Sequence, residues 1–116
     1  MVEAIKNDDK KIRVDLFPTK ALIGSSRALT HGIKKYSEYN YKKGDGLDWN
    51  RPYGATLRHL IAWWDGENID RDSGLHHLDC AGAEIAMLMD LVYSQIGKDT
   101  RYKRDSTQEV HDLNDK

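Results

Sequence analysis

The sequence predicts an all-α fold, a small helical bundle completed by homo-oligomerisation. Three observations lead there. Apolar residues recur at three- and four-residue spacing in two separate stretches. A third stretch is apolar around most of a helical circumference. No run alternates apolar and polar residues strongly enough to claim a strand. At 116 residues, the chain is one domain long.

Residues 1–14 are mostly polar and read as a loosely docked arm. The helical domain spans 15–97. Phe17-Pro18-Thr19 is its entrance, with Pro18 near the first helical position. Leu22, Ser25, Leu29, Gly32, Ile33 and Tyr36 then share one helical face, which ends near Tyr39-Asn40. Residues 42–46, Lys-Lys-Gly-Asp-Gly, form a loop by composition. Asn50-Arg51-Pro52 opens a second helix with Asn50 as N-cap, a stripe of Tyr53, Leu57, Leu60, Ile61 and Trp64, and Gly66 as its close. A third helix runs from a Ser73 cap to about Gln95, with Gly97 as its stop. Leu78, Ala81, Gly82, Ile85, Met89 and Val92 cover one arc of it. Cys80, Met87, Leu88 and Leu91 cover much of the rest. Only a strip of His76, Asp79, Ala83 and Asp90 looks fit for water. Such a helix needs cover on more than one side, which predicts a dimer or tetramer. The tail, 98–116, is polar and reads as disordered or ordered only against a partner.

Charge and cysteine content exclude several classes. The formal net charge is −1, which speaks against a strongly basic nucleic-acid binder. The lone Cys80 rules out an internal disulfide framework and any CxxC zinc site, and it fits a reducing cytoplasm. No apolar run is long enough for a membrane span. The near-neutral total hides an asymmetry. Residues 27–58 carry seven Lys/Arg against three Asp/Glu, a net of +4, whereas 59–96 carry one Arg against seven Asp/Glu, a net of −6. Cationic side chains suit phosphate oxygens and carboxylates suit a hard divalent cation. Two oppositely charged helical faces that solubilise the protein or attract each other would give the same count.

Candidate chemistry gathers around the third helix. His77 and Glu84 project about 20° apart, two turns removed. A carboxylate on that apolar side must be paired or bound to a cation. The pair is read either as a metal-ligating or water-orienting set, or as a structural ion pair of Glu84 with Arg58 or Lys35. Glu67 and Asp70, with Asp72 behind, place oxygen ligands near His77 and suit Mg²⁺ or Mn²⁺. Ordinary loop polarity is the competing account. His31, His59 and His76 read as surface or packing histidines, and Cys80 as a small packing residue. Tyr36, Tyr39, Tyr41, Trp49 and Tyr53 interleave with Lys34, Lys35, Lys42, Lys43 and Arg51. That mixture suits a base stacked above a triphosphate, single-stranded nucleic acid, or simple core packing.

The run His31-Gly32-Ile33-Lys34-Lys35-Tyr36, with Asn40-Tyr41 and Lys43-Gly44, precedes the stretch Arg58-His59-Leu60-Ile61-Ala62-Trp63-Trp64-Asp65-Gly66-Glu67. Asp70, Ser73-Gly74-Leu75 and His77-Leu78 complete the pattern RHLxAWxxGExxDxxSGxxHL. From about Asp15 to Leu91 this resembles the phage-associated dATP/dGTP diphosphohydrolase N-terminal-domain family. The resemblance implies an all-α fold related to MazG-like nucleoside triphosphate pyrophosphohydrolases, which release a monophosphate and pyrophosphate using Mg²⁺ held by carboxylates. Carried onto this chain, Glu67, Asp70 and His77 match the acidic and histidine part of the family pattern, and Lys35, Asn40 and Arg58 match its phosphate-facing part. The leading reading then takes Glu67, Asp70 and Glu84 as metal ligands, His77 and Glu84 as catalytic groups, and Lys34, Lys35, Tyr36, Asn40 and Arg58 as contacts to a purine nucleotide in the host cytoplasm. The EExxE helix motif of MazG-like enzymes is absent, and Cys80 and Glu84 stand where the family continues with His and Asn. A second reading follows from that departure: a non-catalytic protein that sequesters nucleotides or cyclic-nucleotide signals.

Overall fold

The computed structural model describes residues 2–102. Among them the chain is all-helical: α1 (Thr19–Lys35), α2 (Asn50–Trp64) and α3 (His77–Tyr93), with short 3-10 turns at Val14–Leu16 and Asn40–Lys42. One isolated bridge pairs Ile69 with His76. No helix there is long and apolar enough to cross a membrane.

Helix α3 is the middle element, and both other helices pack on it. Gly24 lies against Asp79 and Tyr41 bonds Asp90, so α1 runs in the same direction as α3. His59 meets His77, while the Trp49 indole N–H donates to the Ile96 carbonyl, so α2 runs against α3.

The helix ends differ from expectation in four places. Helix α1 stops at Lys35, not near Tyr39-Asn40, because Tyr36 leaves helical dihedrals and Tyr39 turns left-handed at φ 54°. That turn lets Tyr41 and Lys42 reach Asp90 on α3. Asn50 is the first residue of α2 rather than its cap, and its side chain accepts from the Thr100 hydroxyl. Helix α3 starts at His77, not after Ser73. The His76 ring accepts from the Leu78 N–H and caps it, while the Ser73 hydroxyl donates to Asp70. Gly66 closes α2 in a left-handed conformation, as its position implies, whereas α3 ends at Tyr93 and the left-handed residue that closes it is Gln95 at φ 56°, two residues before the likewise left-handed Gly97. At Gly97 a Cβ would overlap the Leu47 carbonyl, so a side chain there is excluded twice over. The start of the tail is anchored: the Lys98 carbonyl accepts from the Trp49 N–H, and Arg101 stacks over the Trp49 ring. Residues 103–116, the bulk of the polar tail, lie outside the described residues.

Small side chains make the contacts inside the chain. The buried set is Pro52, Thr56, Cys80, Ala81, Ala83 and Leu91, with Trp49 and His77. Along α2 the inward face is therefore Pro52, Thr56, His59 and Trp63, one residue out of phase with the large apolar stripe. That stripe faces outward, with Ile61 60% and Trp64 80% exposed. The strip of α3 expected to face water is covered instead. Ala83 is 4% exposed, Asp79 lies under α1 paired with Arg27 at 2.6 Å, and Asp90 pairs with Lys42 at 2.7 Å. Helix packing here follows close approach of backbones, which Gly24, Gly82 and Ala83 permit, while Leu78, Ile85 and Met89 remain outside.

Candidate metal centre and nucleotide site

The loop between α2 and α3 holds itself together before it holds anything else. The Asp70 N–H donates to the Leu75 carbonyl at 2.7 Å, and the Gly74 N–H donates to the Asp70 carbonyl at 2.8 Å, with Gly74 at φ 75°. The Asp70 carboxylate accepts the Ser73 hydroxyl at 2.7 Å and the N–H groups of Ser73 and Asp72 at 3.3 and 3.4 Å. The Ser73 oxygen in turn accepts from the Leu75 N–H. These bonds are short-range, so the carboxylate is set by the turn and not by the helices.

His77 stands at the first position of α3 and is 4% exposed. Its N–H donates to the Asn68 carbonyl, which ties the helix start to the loop. Its ring is gripped on both sides. Nε2 lies 2.9 Å from Glu67 Oε1, and Nδ1 lies 2.9 Å from His59 Nδ1. A carboxylate only accepts, so the proton sits on Nε2 and a neutral His77 presents a bare lone pair at Nδ1. One donor atom from each of His59, Asp70 and His77 falls within 4.8 Å of the other two.

Local electrostatics act on two of these three donors. Burial lowers the His59 pKa, with the charge of Arg58 acting in the same direction and Asp70 opposing it, so its imidazole is neutral around pH 7. Burial works against the Asp70 charge, but the hydrogen bonds from Ser73 and Asp72 outweigh it and hold the carboxyl below its ordinary range. Two turns along α3, burial raises the Glu84 pKa while the charge of Arg58 pulls it back. The Cys80 thiol, 3.8 Å from the Ser73 hydroxyl, is pushed up by burial, which suits packing and not nucleophilic attack.

Of the residues singled out in the sequence, the structure brings together Glu67, Asp70 and His77. Arg58 on α2 and Glu84 on α3 lie within range of each other's charge, with the guanidinium reaching back along α2 toward Gly54. Lys34, Lys35, Tyr36 and Asn40 stand elsewhere. They belong to the end of α1 and the turn after it, where Lys35 covers the ring of Tyr36 and the next residues, Tyr41 and Lys42, bond Asp90 toward the far end of α3. Thirteen helical residues separate His77 from Asp90, about 20 Å along the axis, more than a triphosphate chain bridges. Sequence reasoning missed His59 and the role of Ser73. The signal for His59 was its place on the Pro52/Thr56/His59/Trp63 face, obscured because the bulkier stripe beside it looked like the core.

The model of the family described as dATP/dGTP diphosphohydrolase, N-terminal, matches residues 2–101. No curated protein and no solved structure matches the chain. With the match extending over nearly all of the described helices, the chain belongs to the dATP/dGTP diphosphohydrolase N-terminal family.

Proposed function

We propose that the protein hydrolyses purine deoxynucleoside triphosphates to the monophosphate and pyrophosphate, in phage nucleotide-pool control, and does so as a homo-oligomer. The observation that carries the reading is the convergence of His59, Asp70 and His77, backed by Glu67, with Arg58 next to His59 in the chain and within charge range of Glu84. A divalent cation bound there would neutralise phosphate charge. Three carboxylates around Mg²⁺ fit these residues less well. Glu67 Oε1 is engaged by His77, and Glu84 lies seven residues, about 10 Å, along α3 from it.

In this reading Arg58 binds phosphate oxygens through its guanidinium, which matches two oxygens at once. Glu84 takes a proton from the attacking water, a role that its burial-raised pKa suits. The water oxygen bonds to the α-phosphorus, the bond to the α–β bridging oxygen breaks, and pyrophosphate leaves with that electron pair. Lys34, Lys35, Tyr36 and Asn40 would come to the nucleotide from a neighbouring copy. The outward-facing Ile61 and Trp64 support such an assembly.

The test is purified protein incubated with each deoxynucleoside triphosphate and Mg²⁺, Mn²⁺ or Co²⁺, with nucleotide products and pyrophosphate separated and counted. Equimolar monophosphate and pyrophosphate, lost in Glu84→Gln, is the expected result. Tight retention of an intact nucleotide would replace this reading with sequestration, which the absent EExxE motif favours.

A further inference from the structure

We infer that His59, Asp70 and His77 bind one divalent first-row transition-metal ion through two imidazole nitrogens and one carboxylate oxygen, leaving open positions for water or a phosphate oxygen. This names the cation of the hydrolytic site proposed above and rests on that location, but not on turnover.

Geometry favours it first. Metal–nitrogen bonds of about 2.1 Å at right angles put neighbouring donors about 3.0 Å apart. The His59 and His77 Nδ1 atoms are 2.9 Å apart, and the two rings are tilted by 49°. A hydrogen bond between the two rings accounts for that distance alone. It does not account for Asp70, whose carboxylate comes within 4.8 Å of a nitrogen of each ring from a separately braced turn.

The chemistry of the donors points the same way. Imidazole suits Mn²⁺, Fe²⁺, Co²⁺ and Zn²⁺, whereas Mg²⁺ prefers oxygen and sheds water reluctantly. Glu67 behind His77 makes the carboxylate–histidine pair that fixes tautomer and ring direction in metal centres. The buried start of α3 cannot swing the ring elsewhere, since the His77 N–H is held by Asn68. Asp70 and Glu67 together offset a double positive charge.

The experiment uses chelator-treated full-length protein titrated with Co²⁺, Mn²⁺, Zn²⁺ and Mg²⁺ in the absence of nucleotide. One Co²⁺ per chain is expected, with visible absorption of a mixed nitrogen–oxygen site, a raised Tm, and no displacement by a large excess of Mg²⁺. Loss of a ligand in His59→Asn or Asp70→Asn should weaken Co²⁺ binding at least ~100-fold, and Glu67→Gln, which removes only the supporting carboxylate, about 10- to 100-fold. His31→Asn should bind as the parent does. Should a variant fail to fold, the ring signals of His59 and His77 in the parent must broaden selectively with Co²⁺ while those of His31 stay sharp. Mg²⁺ binding as tightly as Co²⁺, Co²⁺ binding unchanged in Asp70→Asn, or no binding at all overturns the inference. Hydrolysis with Mg²⁺ and no Co²⁺ binding would sink the metal assignment alone. Co²⁺ binding without hydrolysis would sink the enzymatic reading alone.

Discussion

Replacing Gly24 with alanine should destabilise the protein, and the effect should change sign once Asp79 is removed. A Cβ built at Gly24 overlaps Asp79 Oδ1 and stands 3.0 Å from its Cγ. Asp79 cannot yield freely, because Arg27 Nη1 holds its other oxygen at 2.6 Å. In an unobstructed helix the substitution would gain about 1 kcal/mol of intrinsic propensity. Overpacking of a fitted contact costs about 1–3 kcal/mol. Displacing the Arg27–Asp79 pair adds no more than about 1 kcal/mol, since the Arg27 side chain is mostly exposed and screened. The net expectation is a loss of about 1–2 kcal/mol for Gly24→Ala in the parent. In an Asp79→Ala background the obstruction is gone and the propensity gain remains, up to about 1 kcal/mol of stabilisation. Urea unfolding of the four proteins, followed by circular dichroism at one fixed protomer concentration, measures the cycle. Equal losses from Gly24→Ala in both backgrounds would refute close α1–α3 contact at this point.

Two further outcomes follow from the same structure. Lys42, then Tyr41, lowers the Asp90 pKa from its ordinary 3.8, so Asp90 contributes stability that is complete above that value and disappears as the pH falls through the depressed one. Asp90→Asn should therefore flatten the acid limb of a stability–pH curve, and an unchanged limb would mean that the pair does not hold the post-α1 turn. Trp64→Glu places a charge in the outward stripe and should reduce the particle mass measured by light scattering toward one chain. An unaltered mass would show that assembly, if any, uses another face.

Element type was legible in the sequence, and helix direction of burial was not. Periodicity located all three helices and Gly66 marked the end of α2, but the stop expected at Gly97 falls earlier, at a left-handed Gln95. It misjudged which face goes inward, because a stripe is conspicuous through its large residues. Within this chain, contact is made by residues small enough to let backbones approach: Gly24 under Asp79, Gly82 beside Ser25, Ala83 beneath α1. The same bias hid His59, which shares the quieter face of α2. Glu67, Asp70 and His77 were readable because they sit close together in sequence, across a loop too short to separate them. His59 is 18 residues from His77 and becomes its neighbour only when α2 folds back against α3.

The charge blocks offered two readings, a phosphate-and-metal site or oppositely charged faces that solubilise the protein or attract each other, and the ion pairs account for part of each block by attraction. Arg27 with Asp79 and Lys42 with Asp90 join the basic block to the acidic one across the α1–α3 interface, and both pairs fix where the chain lies. They consume two of the seven acids of the second block. Glu67 and Asp70 are not used that way: their partners are His77, Ser73 and the local backbone, none of which carries a permanent positive charge. Carboxylates that fold a protein seek Lys or Arg, as Asp79 and Asp90 do here. Two that instead face a pair of imidazoles at the start of α3 hold their places with neither Lys nor Arg. The divalent cation proposed above would supply such a partner, and on that proposal the acidic half of the sequence, not the basic half, carries the functional argument.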